Sequence, residues 1–232
     1  MEFFDSLIND FSEICNKYNS AAFSPDDRIQ WKENEYSKVI LQRETACELD
    51  GTGFNLITGK DIEDGVVIIG SDIDKLTSKQ KFARICIVQL ENKDDEQQLY
   101  NLIRKVEYVK YHFFPEGYMI RTASRSHKEG VRISKNAVKD GLTFEKVGNM
   151  LIRKFKAIPS VKAVKVYFVT DPTFNYVRIE EMAQKSNTIT EALNHIMNSV
   201  KFDCDTCNLK AVCDEVDGMK ELHFKNVQKE EG

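Results

Sequence analysis

The sequence predicts an α/β fold: a layered mixed sheet flanked by helices, with a C-terminal cysteine knuckle. Three observations carry this expectation. Short β-branched runs, "GVVIIG", "ARICIVQL" and "VKAVKVYFVT", alternate with stretches whose apolar residues recur at helical spacing. Turn residues punctuate the boundaries. Finally, 232 residues with 41% hydrophobic and 30% charged side chains make an ordinary globular composition, large enough to bury a core. An α+β arrangement of the same layers satisfies the pattern equally well.

In chain order, residues 3–18 place Phe3, Phe4, Leu7, Ile8, Phe11 and Ile14 on one helical face. A polar connector containing Pro25 and the single tryptophan, Trp31, follows. Strand-like runs then appear at "KVILQ", "FNLIT", "GVVIIG" and "ARICIVQL", with Gly-Thr-Gly, Gly-Lys-Asp and Ser-Asp read as the turns between them. The stretch "DDEQQLYNLIRKVEYVKYH" turns helical and stops before Pro115. Beyond it the expected order is strand ("GYMIRTAS"), helix ("SKNAVKDG", closed by Gly141), helix capped by Thr143, strand, and a long helix from Phe174 to Val200. The expected divisions are an N-terminal helix and connector (1–35), a middle domain (36–200) and a cysteine segment (201–232).

A net charge of −4 argues against bulk nucleic-acid binding. The acidic start "MEFFDSLINDF" lacks the basic region of a signal peptide. No run reaches the roughly 18 apolar residues of a membrane span. The expectation is a cytoplasmic protein without membrane contact, in which clustered cysteines are metal ligands or redox groups rather than disulfides.

Half of the six cysteines lie at Cys204, Cys207 and Cys213, in "DCDTCNLKAVCDE". Three thiols at C-x2-C-x5-C fit one metal centre, because the tight backbone knuckle supplies amides that hydrogen-bond the sulfurs. Both tetrahedral zinc and a cubane iron–sulfur cluster require a fourth ligand. His223 is the nearest nitrogen donor, and Cys47 or Cys86 are the distant thiols. Read individually, Cys15, Cys47 and Cys86 are small buried hydrophobes. A second cluster, "YMIRTASRSHKEGVRISK", gathers Arg121, Arg125, His127, Lys128, Arg132 and Lys135. It reads either as a phosphate-binding surface of guanidinium forks or as a solvated basic face. No glycine-rich phosphate loop, His-Glu-x-x-His helix or nucleophile elbow accompanies it.

The stretch "RTASRSHKEGVRISKNAVKDGLTFEKVGNMLIRKFK", the strand "VKAVKVYFVTDP" and the upstream segments "KVILQRETACELDGTGFNLIT" and "IEDGVVIIGSDIDKL" resemble the middle region of acetyl-CoA synthase, the beta subunit of the CO dehydrogenase/acetyl-CoA synthase complex. The resemblance spans roughly residues 36 to 213. It implies that Cys204, Cys207 and Cys213 correspond to the opening cysteines of a 4Fe–4S site, the gap to the third being five residues here instead of eight. It also implies that Arg121, Arg125 and Arg132 lie where the family's coenzyme A-proximal arginines lie, with Tyr118 and Met119 where the family carries a tryptophan. The fourth cluster cysteine and the Cys-Gly-Cys nickel ligands of the family have no counterpart after Cys213.

The resulting expectation is an iron–sulfur accessory or electron-transfer protein of anaerobic one-carbon metabolism. It would work beside CO dehydrogenase or a corrinoid protein, without making acetyl-CoA by itself, and a homodimer that completes the site is left open. The rivals are a structural zinc module of Cys204, Cys207, Cys213 and His223, and an enzyme that binds coenzyme A through the arginines and uses an open-site cluster.

Overall fold

The computed structural model describes residues 2–77, 79–91, 96–122, 127–197, 207, 209–216, 218, 219, 221 and 222. Among them, seven strands form one mixed sheet: β1 (Ser20–Phe23), β2 (Thr45–Thr58), β3 (Gly65–Ile69), β4 (Gln80–Leu90), β5 (Tyr118–Thr122), β6 (Lys128–Ser134) and β7 (Val161–Val169). Their order across the sheet is β1-β3-β7-β4-β2-β6-β5. β2 runs parallel to β4 and β3 parallel to β7; the remaining neighbours are antiparallel. The layered α/β expectation is met.

The central strands are largely apolar because both faces of the sheet are covered. Every residue of β3 is buried, as are the last nine of β4. Successive side chains of a strand point to opposite faces, so Tyr167 and Phe168 of β7 identify the two layers. Phe168 stacks on Phe82 and on Phe144 at the start of α4 (Phe144–Lys156). Tyr167 meets Phe11 of α1 (Asp5–Cys15) edge-on at 4.9 Å. A Cβ at Gly148 of α4 would fall 2.5 Å from Val66 of β3, so glycine there lets the helix lie directly on the sheet. α5 (Tyr176–Met197) packs beside α1 through the Arg178–Asp10 ion pair. Its Ser186 hydroxyl donates to the carbonyl of Asn55, in the part of β2 that extends past the end of β6.

The expected caps are present. Thr143 Oγ1 accepts the Lys146 amide, and Gly141, at φ +81, follows the last residue of α3 (Lys135–Lys139) by two positions. Asp72 Oδ1 additionally accepts the Phe144 amide at 2.8 Å, tying the β3 exit loop to the start of α4.

Three local expectations change. "KVILQ" is not a strand: of these residues only Ile40 is buried, and its amide is held by Met119 Sδ. The Gly-Thr-Gly motif is not a turn but lies inside the 14-residue β2. A Cβ at Gly51 would sit 1.6 Å from the Phe82 carbonyl oxygen, and one at Gly53 would sit 2.0 Å from Glu129 Oε2. These glycines make room for neighbours, the other common reason for glycine within a strand. Residues 128–134, expected as part of a strand-to-helix connection, form β6.

The polar connector also holds β1, and its later part is pinned to the loop before β5. Trp31 Nε1 donates to the Glu116 carbonyl, and the Asn34 and Glu116 amides donate to Phe114 and Lys32 carbonyls. The long helix ends, within the described residues, at Met197. No helix among them is long and apolar enough to cross a membrane.

Candidate functional site

Two arginines from the basic stretch are brought together at one end of the sheet. Along β6, Glu129, Val131 and Ile133 face the layer of α4, whereas Gly130 and Arg132 face the opposite side. Arg132 lies opposite Glu48 of β2, and Arg121 of β5 lies opposite Gly130, itself opposite Asp50. With no side chain on Gly130, the Arg121 guanidinium lies across it: a Cβ there would meet Arg121 Nη2 at 3.2 Å.

Both guanidinium groups converge on one oxygen. Glu48 Oε1 forms an ion pair with Arg121 Nη2 at 2.5 Å and accepts a hydrogen bond from Arg132 Nε at 3.0 Å. Arg132 also donates to the Ile40 carbonyl. Asp50, which is 86% exposed, stands 3.8 Å from Arg121. Arg121 Nε is buried without an acceptor. Arg121 retains 38% exposure and Arg132 23%, so the pair is neither a fully solvated basic face nor a closed core contact. The third arginine, Arg125, lies outside the described residues. Of the two residues expected where the family carries a tryptophan, Tyr118 is buried and Met119 Sδ accepts the Ile40 amide.

Beyond Ile40, a cleft of about 960 Å³ separates the two arms of the connector from α3; Trp31, Lys38, Arg43, Glu116 and Lys135 are among its walls. One face of Trp31 carries Lys146 Nζ, 5.1 Å from the ring centre.

A second polar cluster lies on the other face of the sheet and was not legible as one. Arg84 sits inside the apolar run of β4. It donates to both oxygens of Glu129, each at 2.7 Å, and to Asn55 Oδ1 and Cys86 Sγ, each at 3.1 Å. Asn55 passes the network to Glu107 of α2 (Glu96–Tyr108) at 3.2 Å. Burial works against charge on Arg84, yet Glu129 holds its pKa well above the ordinary value. Burial raises the Glu107 carboxyl and the Tyr118 phenol. A single charged residue within the buried run of β4 was the available signal.

Of the cysteine segment, Cys207 and Cys213 are described, whereas Cys204 and His223 lie outside the described residues. Cys207 Sγ accepts the Leu209 amide at 3.4 Å, and Cys213 lies on α6 (Lys210–Glu215), whose Glu215 pairs with Lys185 of α5. An amide directed at sulfur is the feature that favours a thiolate ligand, so Cys207 fits a soft-metal site. Among the described residues, no group of three or more His, Cys, Asp or Glu is placed to hold a metal ion. Cys47 and Cys86 are buried in the sheet, and burial pushes each thiol up to about 11.

The family model of the CO dehydrogenase/acetyl-CoA synthase complex beta subunit matches residues 28–174, more than half of the chain. The chain belongs to this beta-subunit family. The match runs from within the connector through β2–β7 to just before α5, and so includes Glu48, Arg121 and Arg132. A curated relative, "Acetyl-CoA decarbonylase/synthase complex subunit beta 2" of Methanocaldococcus jannaschii, is 28% identical over 162 residues. That alignment covers 67% of this chain and 34% of the relative, so this beta-subunit relative spans about a third of the longer protein.

Proposed function

We propose that this beta-subunit relative is an accessory component of a CO dehydrogenase/acetyl-CoA synthase-type one-carbon system that binds an anionic group of the coenzyme A kind at Arg121 and Arg132. The observation that carries the reading is the convergence of two half-exposed guanidinium groups, from neighbouring strands, within the family-matched segment. Guanidinium forks pair with phosphate oxygens through short charge-assisted hydrogen bonds, and half-exposure leaves them reachable. Arg125, from the β5–β6 connection, belongs to the same reading.

The cysteine segment is assigned the metal. Cys204, Cys207 and Cys213 would hold an iron–sulfur cluster, with His223 as the fourth ligand; when bound, the cluster would supply one-electron transfer. What supports this is the soft donor set and the amide aimed at Cys207 Sγ. The partner in this reading is CO dehydrogenase or a corrinoid protein of the same one-carbon system. Oxygen-free operation belongs to the same reading, since a cluster held by only three thiolates would be oxygen-labile.

Calorimetric titration with coenzyme A tests the reading. Heat of binding to the wild-type chain, abolished in the Arg121→Ala/Arg132→Ala variant with the fold intact by circular dichroism, is the expected result. Equal binding by both proteins, or no binding by the wild type, would overturn the arginine assignment. A second reading, zinc closed by the same four ligands, is separated from the cluster by colour, since d10 zinc gives none.

A further inference from the structure

The carboxylate that holds the two arginines is itself an anion, and its placement bears on how the site is filled. Glu48 Oε1 serves two guanidinium groups at once. That single oxygen leaves both arginines under-coordinated: among the described residues, Arg121 Nε is buried with no acceptor, and Arg132 has one further acceptor, the Ile40 carbonyl, at 3.4 Å. A guanidinium has five N–H donors, and one carboxylate oxygen accepts far fewer hydrogen bonds than two such groups can donate. Asp50 does not close the deficit, because it is 3.8 Å from Arg121 and largely in solvent. Arg84 and Glu129 on the other face show what a satisfied pair looks like in this protein: two bonds of 2.7 Å between one arginine and one carboxylate, with both side chains 1% exposed.

We infer that Glu48 is an exchangeable internal anion: a ligand phosphate takes the two guanidinium groups by displacing the Glu48 carboxylate from them. The inference rests on the proposed anion-binding role of Arg121 and Arg132. It adds that Glu48 sets the affinity and the selectivity of that site. A phosphate or diphosphate presents several oxygens and more than one negative charge, so it exchanges favourably for one carboxylate. A monocarboxylate offers no more than Glu48 already provides, and competes poorly against a group tethered in place. The site is therefore selective for multiply charged phosphate-type groups, and Glu48 offsets one of its two positive charges when it is empty. Gly130 is part of the device, because its missing side chain is the space in which Arg121 lies.

The test is titration of the full chain with inorganic pyrophosphate, and separately with acetate, for wild type, Glu48→Gln, Asp50→Asn and Arg121→Ala/Arg132→Ala. Glutamine keeps the shape of Glu48 and removes the charge. The expected result is pyrophosphate binding at least about fivefold tighter in Glu48→Gln than in wild type. Asp50→Asn should change it by less than about twofold, and the double arginine variant should lose it. Acetate should bind Glu48→Gln detectably and the wild type not at all. Thermal unfolding with and without pyrophosphate checks each fold, and the ligand-induced rise should be largest in Glu48→Gln.

Unchanged or weaker pyrophosphate binding in a folded Glu48→Gln, with the double arginine variant still losing it, would overturn the exchange mechanism and leave the arginine site standing. Equal gains from Glu48→Gln and Asp50→Asn would also overturn it, since loss of any nearby negative charge would then suffice. Binding that persists in the double arginine variant, or is absent from every variant, would remove the arginine site and the exchange with it.

Discussion

Arg84 and Glu129 meet through two parallel hydrogen bonds of 2.7 Å, each side chain 1% exposed, across β2, which separates their strands. Gly53 makes the meeting possible, since it leaves the space on β2 that the Glu129 carboxylate fills. A buried ion pair of this kind contributes little net stability over an apolar replacement, but breaking it strands a charge. Glu129→Gln should therefore cost about 3–5 kcal/mol, read as a lowered urea midpoint, because Arg84 keeps its charge without a counterion. The double replacement Arg84→Met/Glu129→Leu should recover most of that loss. Equal destabilisation by the single and double variants would show that the pair is not the source.

The glycines of β2 should rank by what a methyl group would strike. Gly51→Ala drives Cβ to 1.6 Å from a backbone oxygen of β4 and has no side chain to push aside, so it should prevent the two strands from pairing and give insoluble protein. At Gly53 the obstacle is the Glu129 carboxylate, so alanine there should yield a folded protein that is unstable by an amount similar to Glu129→Gln. Gly141 differs: its nearest atom is the flexible Lys146 Nζ at 3.7 Å, and only its φ of +81 resists a side chain. Gly141→Ala should cost about 1–2 kcal/mol. Soluble yield and chemical denaturation of the three variants give the ranking directly.

What was legible in the sequence follows from which forces are local. The apolar faces of α1 and α4, the caps at Thr143 and Gly141, and the fully buried β3 and largely buried β4 and β7 announce themselves through periodicity and composition. Gly51 and Gly53 mislead because glycine in a turn and glycine beneath a neighbour look alike until the neighbour is known. β6 hides because Glu129, which ought to break an apolar alternation, is the buried partner of Arg84, 45 residues earlier. The arginine cluster was visible as composition, but Glu48 was not part of it. Only the β2–β6 register, joining positions 84 residues apart, brings that carboxylate to Arg132.

The pH dependence of stability should carry the mark of Glu107. Burial raises its carboxyl pKa above the ordinary value, against the partial opposition of Lys110 and the Asn55 hydrogen bond. A folded-state pKa above the unfolded one means that the folded protein binds the proton more tightly. The contribution is fully present below the unfolded value of about 4.5 and is lost as pH rises through the folded value. Glu107→Gln keeps an oxygen for the Asn55 amide while remaining neutral. It should be more stable than wild type at pH 8, with the difference shrinking steadily as pH falls to 4. Taking the difference between the two proteins removes other titrations, including that of His127, whose pKa is lowered by burial and by Lys110. A difference independent of pH would show that Glu107 does not titrate in this range.

Burial disfavours the thiolate form, and in the proposed reading this sets the cysteines of the sheet apart from those of the C-terminal segment. A soft metal takes thiolate, so a ligand must give up its proton near neutral pH. Burial holds the thiols of Cys47 and Cys86 at about 11, and that of Cys15 at about 12, which keeps all three protonated. Cys207 instead receives the Leu209 amide and is half-exposed. Protein purified without oxygen should therefore lose its iron and acid-labile sulfide, together with the brown colour, in Cys207→Ser and Cys213→Ser. Cys47→Ala and Cys86→Ala should keep both, at a cost only in stability from the space each leaves in the sheet. Iron lost from Cys47→Ala or Cys86→Ala as completely as from Cys207→Ser, in a protein that still folds, would place a ligand inside the sheet and refute the assignment to the C-terminal segment. Zinc at about one per chain, colourless and lost from the same two serine variants, would keep the ligands and replace the cluster by a structural clasp.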